Sequence, residues 1–185
     1  MPVPTSEVSA EAVQWYRVAA EQAKVEAQFY LGELYNNGWG VSQDDGEAVQ
    51  WFRKAAEQGH ADAQNMLGRM CQEGKGVTQN DEEAVQYYRK AAEQGCADAQ
   101  NNLGWMYGNG RGVPKDQREA KKWYKKAAKQ GHALAQRNLQ SMPQKNRHVS
   151  LAKIRVSRGK RYCGKLLEMD VFIDNRHYRK LKNTI

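Results

Sequence analysis

The stretch QFYLGELYNNGWGVSQDDGEAVQWFRKAAEQGHA, residues 28–61, decides the fold, because the chain writes it three times. It lines up without a gap on QNMLGRMCQEGKGVTQNDEEAVQYYRKAAEQGCA, residues 64–97, and on QNNLGWMYGNGRGVPKDQREAKKWYKKAAKQGHA, residues 100–133. Gly38, Gly74 and Gly110 set a period of 36 residues, and Gly40, Gly76 and Gly112 keep it. Self-similarity at a fixed period of this size is the signature of stacked supersecondary units. The recurring G-x-G is not a phosphate loop of the dinucleotide-binding kind. Such a loop follows a strand, whereas here an apolar helical stretch precedes every copy.

Each unit spells out a helix pair. Asp44 with Glu47, Asn80 with Glu83 and Asp116 with Glu119 place a cap residue three positions before a carboxylate. That spacing predicts a capping box, in which both side chains satisfy free amides of the first helical turn. Ala48, Trp51, Phe52, Ala55 and Ala56 then recur at helical spacing and give one apolar face. Gly59, Gly95 and Gly131 end the helix, since glycine tolerates the left-handed conformation found there. The other helix of the pair carries an interior glycine at Gly32, Gly68 and Gly104, which costs about 1 kcal/mol against alanine in an isolated helix. Its recurrence predicts close approach of a neighbouring helix.

With L-G-x-x-Y on one helix and A-x-x-W-Y-x-K-A-A on the next, the unit resembles the Sel1-like repeat, a longer-looped relative of the tetratricopeptide repeat. The resemblance covers roughly residues 9–141. It implies a mostly α chain, folded as a right-handed α-solenoid of stacked helix pairs around a concave groove. It also implies an adaptor or scaffold rather than a catalyst. Residues 9–22 supply only the second helix of a unit, with Ala23 where a glycine belongs. Residues 133–141 supply only the first, with Gln140 in place of its glycine. Terminal repeats are atypical because one face has no neighbour. Three full units and a half unit at each end give about eight helices.

In the related tetratricopeptide fold the L-G-x-x-Y helix lines the concave surface, so the resemblance assigns a partner-binding groove. On the second unit its residues are Asp62, Asn65, Met66, Arg69 and Gln72. One repeat on come Asp98, Asn101, Asn102 and Trp105; one repeat back come Glu26, Phe29, Tyr30 and Glu33; Arg137 and Asn138 continue the row. An asparagine amide offers a donor and an acceptor together, which suits the backbone of an extended peptide. Phe29, Tyr30 and Trp105 serve as apolar anchors. Trp39 takes the loop slot of Lys75 and Arg111, so it is expected to be exposed, as a contact for a partner.

No catalytic, cofactor or metal site emerges, and the chain reads as a non-enzyme. His60, Cys96 and His132 share one repeat slot. Equivalent residues of successive repeats are too far apart to share an ion whose ligands all lie within about 2.3 Å. The three cysteines are odd in number and differ in repeat phase, so they form no disulfide framework. Cys71, in the slot of Tyr35 and Tyr107, reads as a small buried hydrophobe.

After Met142 the text loses its period. Alternation at Ala152, Ile154 and Val156, and again from Leu167 to Ile173, predicts a small β appendage within residues 142–185, beside the array of residues 1–141. Charge divides along the chain. Residues 1–110 hold 8 Lys+Arg against 16 Asp+Glu, whereas residues 111–185 hold 21 against 5. That asymmetry offers an alternative, a nucleic acid or other anionic polymer held by Lys125, Lys126, Lys129, Arg155, Arg158, Lys160 and Arg161. Self-association between the acidic and basic ends is a further possibility. A mean hydropathy of −0.91 and the lack of any long apolar run argue against a membrane span. The start MPVPTSEVSAEAV shows no signal peptide, so the cytoplasm is the default compartment and export of a longer precursor stays open.

Overall fold

The computed structural model describes residues 9–142. The expected β appendage lies outside them, as do Arg155, Arg158, Lys160 and Arg161. Eight helices follow in order: α1 (Ala10–Glu21), α2 (Val25–Asn37), α3 (Asp45–Glu57), α4 (Ala61–Glu73), α5 (Asp81–Glu93), α6 (Ala97–Asn109), α7 (Gln117–Lys129) and α8 (Ala133–Ser141). No strand occurs among the described residues. The even-numbered helices, of which α2, α4 and α6 carry the L-G sequence and α8 has Gln140 in place of the glycine, are called A helices; the odd-numbered ones are B helices. Each A helix packs most extensively on the B helix that follows it, and each B helix then packs on the next A helix. The half units at the two ends are α1, a B helix, and α8, an A helix.

The interior glycines show why the helix pairs pack so closely. A Cβ on Gly32 or Gly68 would lie 2.7 Å from the ring of Phe52 or Tyr88, and one on Gly104 2.9 Å from Tyr124. These rings fill the space a side chain would need, and Phe52 and Tyr88 are among the most buried side chains. Burying a large apolar side chain contributes about 1.5–3 kcal/mol, which outweighs the roughly 1 kcal/mol a helical glycine costs.

The two glycines of G-x-G serve different ends. Gly38, Gly74 and Gly110 cap their A helices with φ of 70°, 71° and 71°, a left-handed conformation. The second glycine also has positive φ, but its tighter constraint lies across the repeat boundary. A Cβ on Gly76 or Gly112 would collide with the carbonyl of Asp45 or Asp81, at the start of the preceding unit's B helix. The residue between them is held by neither constraint, which is why it varies from Trp39 to Lys75 to Arg111.

The helix starts correct the capping-box expectation. Asp44 and Asn80 accept from the amides of Glu47 and Glu83 at 3.0 and 3.1 Å, and Asp116 accepts from Arg118 and Glu119. The reciprocal bond from the glutamate is not made. The cap residue's own amide donates instead to the carbonyl of Tyr35, Cys71 or Tyr107 on the A helix before it, at 2.8–3.0 Å. The loop folds back far enough for a backbone acceptor to take the place of the carboxylate.

A buried polar ladder joins the units. Gln28, Gln64 and Gln100 are almost fully buried. Each donates to the carbonyl of Ala20, Ala56 or Ala92 at the end of the preceding B helix. Each also accepts from Gln58, Gln94 or Gln130 of the following B helix, at 2.7–2.9 Å. One amide thus ties three consecutive helices and leaves no buried polar group of its own unsatisfied.

Candidate functional site

The A helices form one side of the array, and α4 and α6 touch each other directly. Stacking fixes part of this side. Asn102 donates to Asn65 at 3.1 Å, and Asn138 donates to Asn101 at 3.0 Å. Asn101 is itself buried and also donates weakly to Asn102 at 3.4 Å. The asparagine row expected to hold a peptide is therefore engaged first in bridging one repeat to the next. Phe29 stands in the slot of Asn65 and Asn101 and uses stacking instead: its ring lies 4.5 Å from that of His60 and 5.8 Å from that of Phe52.

What remains open on this side is charged and aromatic. Glu26, Asp62, Arg69, Asp98 and Arg137 are exposed; Tyr30, Glu33, Met66, Gln72 and Trp105 are half-buried. Burial raises the Glu33 carboxyl above the ordinary carboxylate range, against the Arg69 guanidinium and the Asn37 amide, which lower it. Gln72 accepts from the Tyr88 hydroxyl at 2.8 Å, which orients its amide. The Arg111 guanidinium sits 5.6 Å from the Trp105 ring while it forks onto Asp81 with two bonds of 2.8 and 2.9 Å.

Trp39 departs from its expected place. The tryptophan is half-buried and packs against the core cluster of Val13, Ala20, Ala27, Leu31 and Leu34. The reason lies in the preceding B helix. Arg111 finds Asp81 at the start of α5, but α1 begins Ser9-Ala10 and offers no carboxylate there. An apolar ring that covers the first core replaces the ion pair.

The His/Cys/His slot has a structural use. His60 and His132 accept through Nδ1 from the amides of Ala63 and Ala135 and so cap α4 and α8. His132 Nε2 also meets Asp98 of the preceding unit at 2.8 Å, and Cys96 meets Asp62 at 3.6 Å. No group of three potential metal ligands occurs among the described residues. Burial pushes the Cys71 thiol up to about 11 and raises that of Cys96, so neither is primed as a nucleophile.

The basic face of α7 extends beyond Lys125, Lys126 and Lys129. Lys125, Lys126 and Lys129 are exposed on α7, and Arg118, Lys121 and Lys122 join them around one hollow of about 410 Å3. Helical spacing carried that signal, because 118, 121, 122, 125, 126 and 129 fall on one face.

Stacked helix pairs with a fixed scaffold and a variable A side define an α-solenoid repeat protein. The Sel1 repeat model matches residues 4–24, 25–60, 61–96 and 97–132, and the chain belongs to that family. Three solved structures are similar over about the same 70% of the chain. One is a protective antigen of uropathogenic Escherichia coli with an SLR fold, at 44% identity and TM-score 0.69. Another is a Sel1 repeat protein of Oxalobacter formigenes, at 45% identity and 0.68. The third is cysteine-rich protein B of Helicobacter pylori, at 28% identity and 0.56. The matched region spans 28% and 52% of the first two relatives' chains and 92% of the third. No curated protein matches the chain. Sel1 repeat proteins are generally protein-interaction scaffolds and typically non-enzymatic. No helix among the described residues is long and apolar enough to cross a membrane.

Proposed function

We propose that the array is an adaptor that holds a peptide or protein partner along its A-helix side. The observation that supports this is where the repeats differ from one another. On the outer face of α1, α3 and α5 the same residues return, as Arg17, Arg53 and Arg89 do, or Gln14, Gln50 and Gln86. On the A side one slot reads Phe29, Asn65, Asn101, Arg137; a second reads Tyr30, Met66, Asn102, Asn138; a third reads Glu33, Arg69, Trp105. Stacking explains why scaffold positions repeat. It gives no reason for three neighbouring slots to change chemistry along the array, whereas a non-repetitive ligand does. Trp105, half-buried with Arg111 beside its ring, is the natural anchor, since tryptophan and arginine are enriched among residues that dominate binding. Arg69 and Glu33 then fix polarity along the row.

To test this, peptides are selected against the full chain from a displayed random library, and their affinities are measured for three variants. Trp105→Ala is expected to weaken binding by about 2 kcal/mol or more, roughly thirtyfold, and Arg69→Glu to weaken it less. Arg53→Glu, on the B face, should change nothing. Unchanged affinity for the first two variants, with loss only in the third, overturns the proposal.

A further inference from the structure

We infer that the outer face of α7 is a binding site for the phosphate backbone of nucleic acid, separate from the A-helix side. The argument begins with slots. Lys121 occupies the position of Val13, Val49 and Val85, all buried in the core. Arg118 stands where α5 has Glu82, Lys122 where the other B helices have Gln14, Gln50 and Gln86, and Lys129 where they have Glu21, Glu57 and Glu93. Four slots have turned basic in this unit alone, beside Lys125 and Lys126, which keep charges the repeat already had. An end cap needs a polar outer face, but solubility is served by mixed signs. Here the sign is single. Among the described residues, Lys122 is the one cation of the six with a carboxylate within reach, Glu119 at 3.3 Å.

The form of the patch decides its ligand class. Lysine is depleted at the centre of protein interfaces, where apolar and aromatic side chains dominate. This hollow is lined by cations only. Trp123 lies beneath Lys126, with the ammonium 4.0 Å from the ring centroid, and is itself covered. From Arg118 to Lys129 the stripe runs about 16 Å at 1.5 Å per residue, the axial length of about five phosphates on one strand of a duplex. Nothing in it reads a base edge, so binding is independent of sequence.

The full chain is titrated onto a labelled 20-base-pair duplex of arbitrary sequence by fluorescence anisotropy, between 50 and 200 mM salt. Each phosphate contact contributes about −0.9 to the slope of log affinity against log salt. The exposed triple variant Lys122→Gln, Lys126→Gln, Lys129→Gln is expected to flatten that slope by about 2.7. If the triple variant loses its helical circular dichroism, the pair Arg118→Gln, Lys125→Gln is read instead, with a flattening of about 1.8. An unchanged slope in a folded variant overturns the inference. So does tighter binding of polyglutamate than of the duplex, which would make the face a site for an acidic protein.

Discussion

Trp15 on α1 and Trp123 on α7 occupy the same repeat slot, yet 77% of the first is exposed and 7% of the second. The difference lies in their neighbours. An A helix, α6, packs against α7, whereas no described helix precedes α1. The opposite end is finished differently. Gln140 replaces the glycine of the A helix, so a further B helix in the usual register would drive its aromatic ring into a side chain. Lys121 replaces the core valine of α7. One end thus leaves the Trp15 ring exposed, beside a hollow that also reaches Tyr16, Ala19, Val25 and Tyr30. The other is closed by a side chain and a stripe of charge. In a solenoid the stacking partner, and not the helix's own sequence, sets how much each slot contributes.

The tryptophan pair offers the largest test of that comparison. Trp123→Ala should cost about 3–5 kcal/mol in chemical denaturation, as for a buried aromatic, and Trp15→Ala no more than about 0.5 kcal/mol, as for a surface change. Equal losses would mean that Trp15 is covered in solution. A second contrast is smaller. Gly68→Ala gains helix propensity but sets a methyl group 2.7 Å from the Tyr88 ring, and overpacking of this kind costs about 1–3 kcal/mol. Gln140→Gly at the end of the array should cost less than about 1 kcal/mol, the propensity term alone. The smallest effect is a gain. Ala23 holds φ of 59° where the other units place Gly59, Gly95 and Gly131. Left-handed backbone strains alanine, and glycine gives back part of that in unfolded-chain entropy, so Ala23→Gly should stabilise by about 0.5–1 kcal/mol. A loss of stability there would show that the Ala23 methyl group packs.

The repeat register made the fold legible, because most of what builds it is periodic and local. Glycine at a left-handed cap, an aspartate three residues before a free amide and an alanine stripe at helical spacing each act within a turn or two. The 36-residue echo then stacks the units. The half units at both ends, and the glycines' need for a close neighbour, follow from the same register. The candidate site was less legible. Its A-side residues could be assigned by resemblance, but the asparagines' bonds to one another depend on where the next A helix comes to rest. The loop mates of Trp39 point to exposure, although the ion pair of Arg111 requires a carboxylate at the start of the preceding B helix, which α1 lacks.

What the sequence by itself determined is the unit: two helices, their caps, the glycines that let them touch, and the charge carried by the last full unit. Only the tertiary structure decided which polar groups face one another across units. The glutamine ladder, the cap amides returned to the preceding A helix and the fork of Arg111 onto Asp81 join residues 8 to 30 positions apart. Hydrogen bonds demand partners within about 3 Å and at a suitable angle. A repeat period fixes the order of helices but not that distance, which is set when apolar faces pack and carry the polar groups with them.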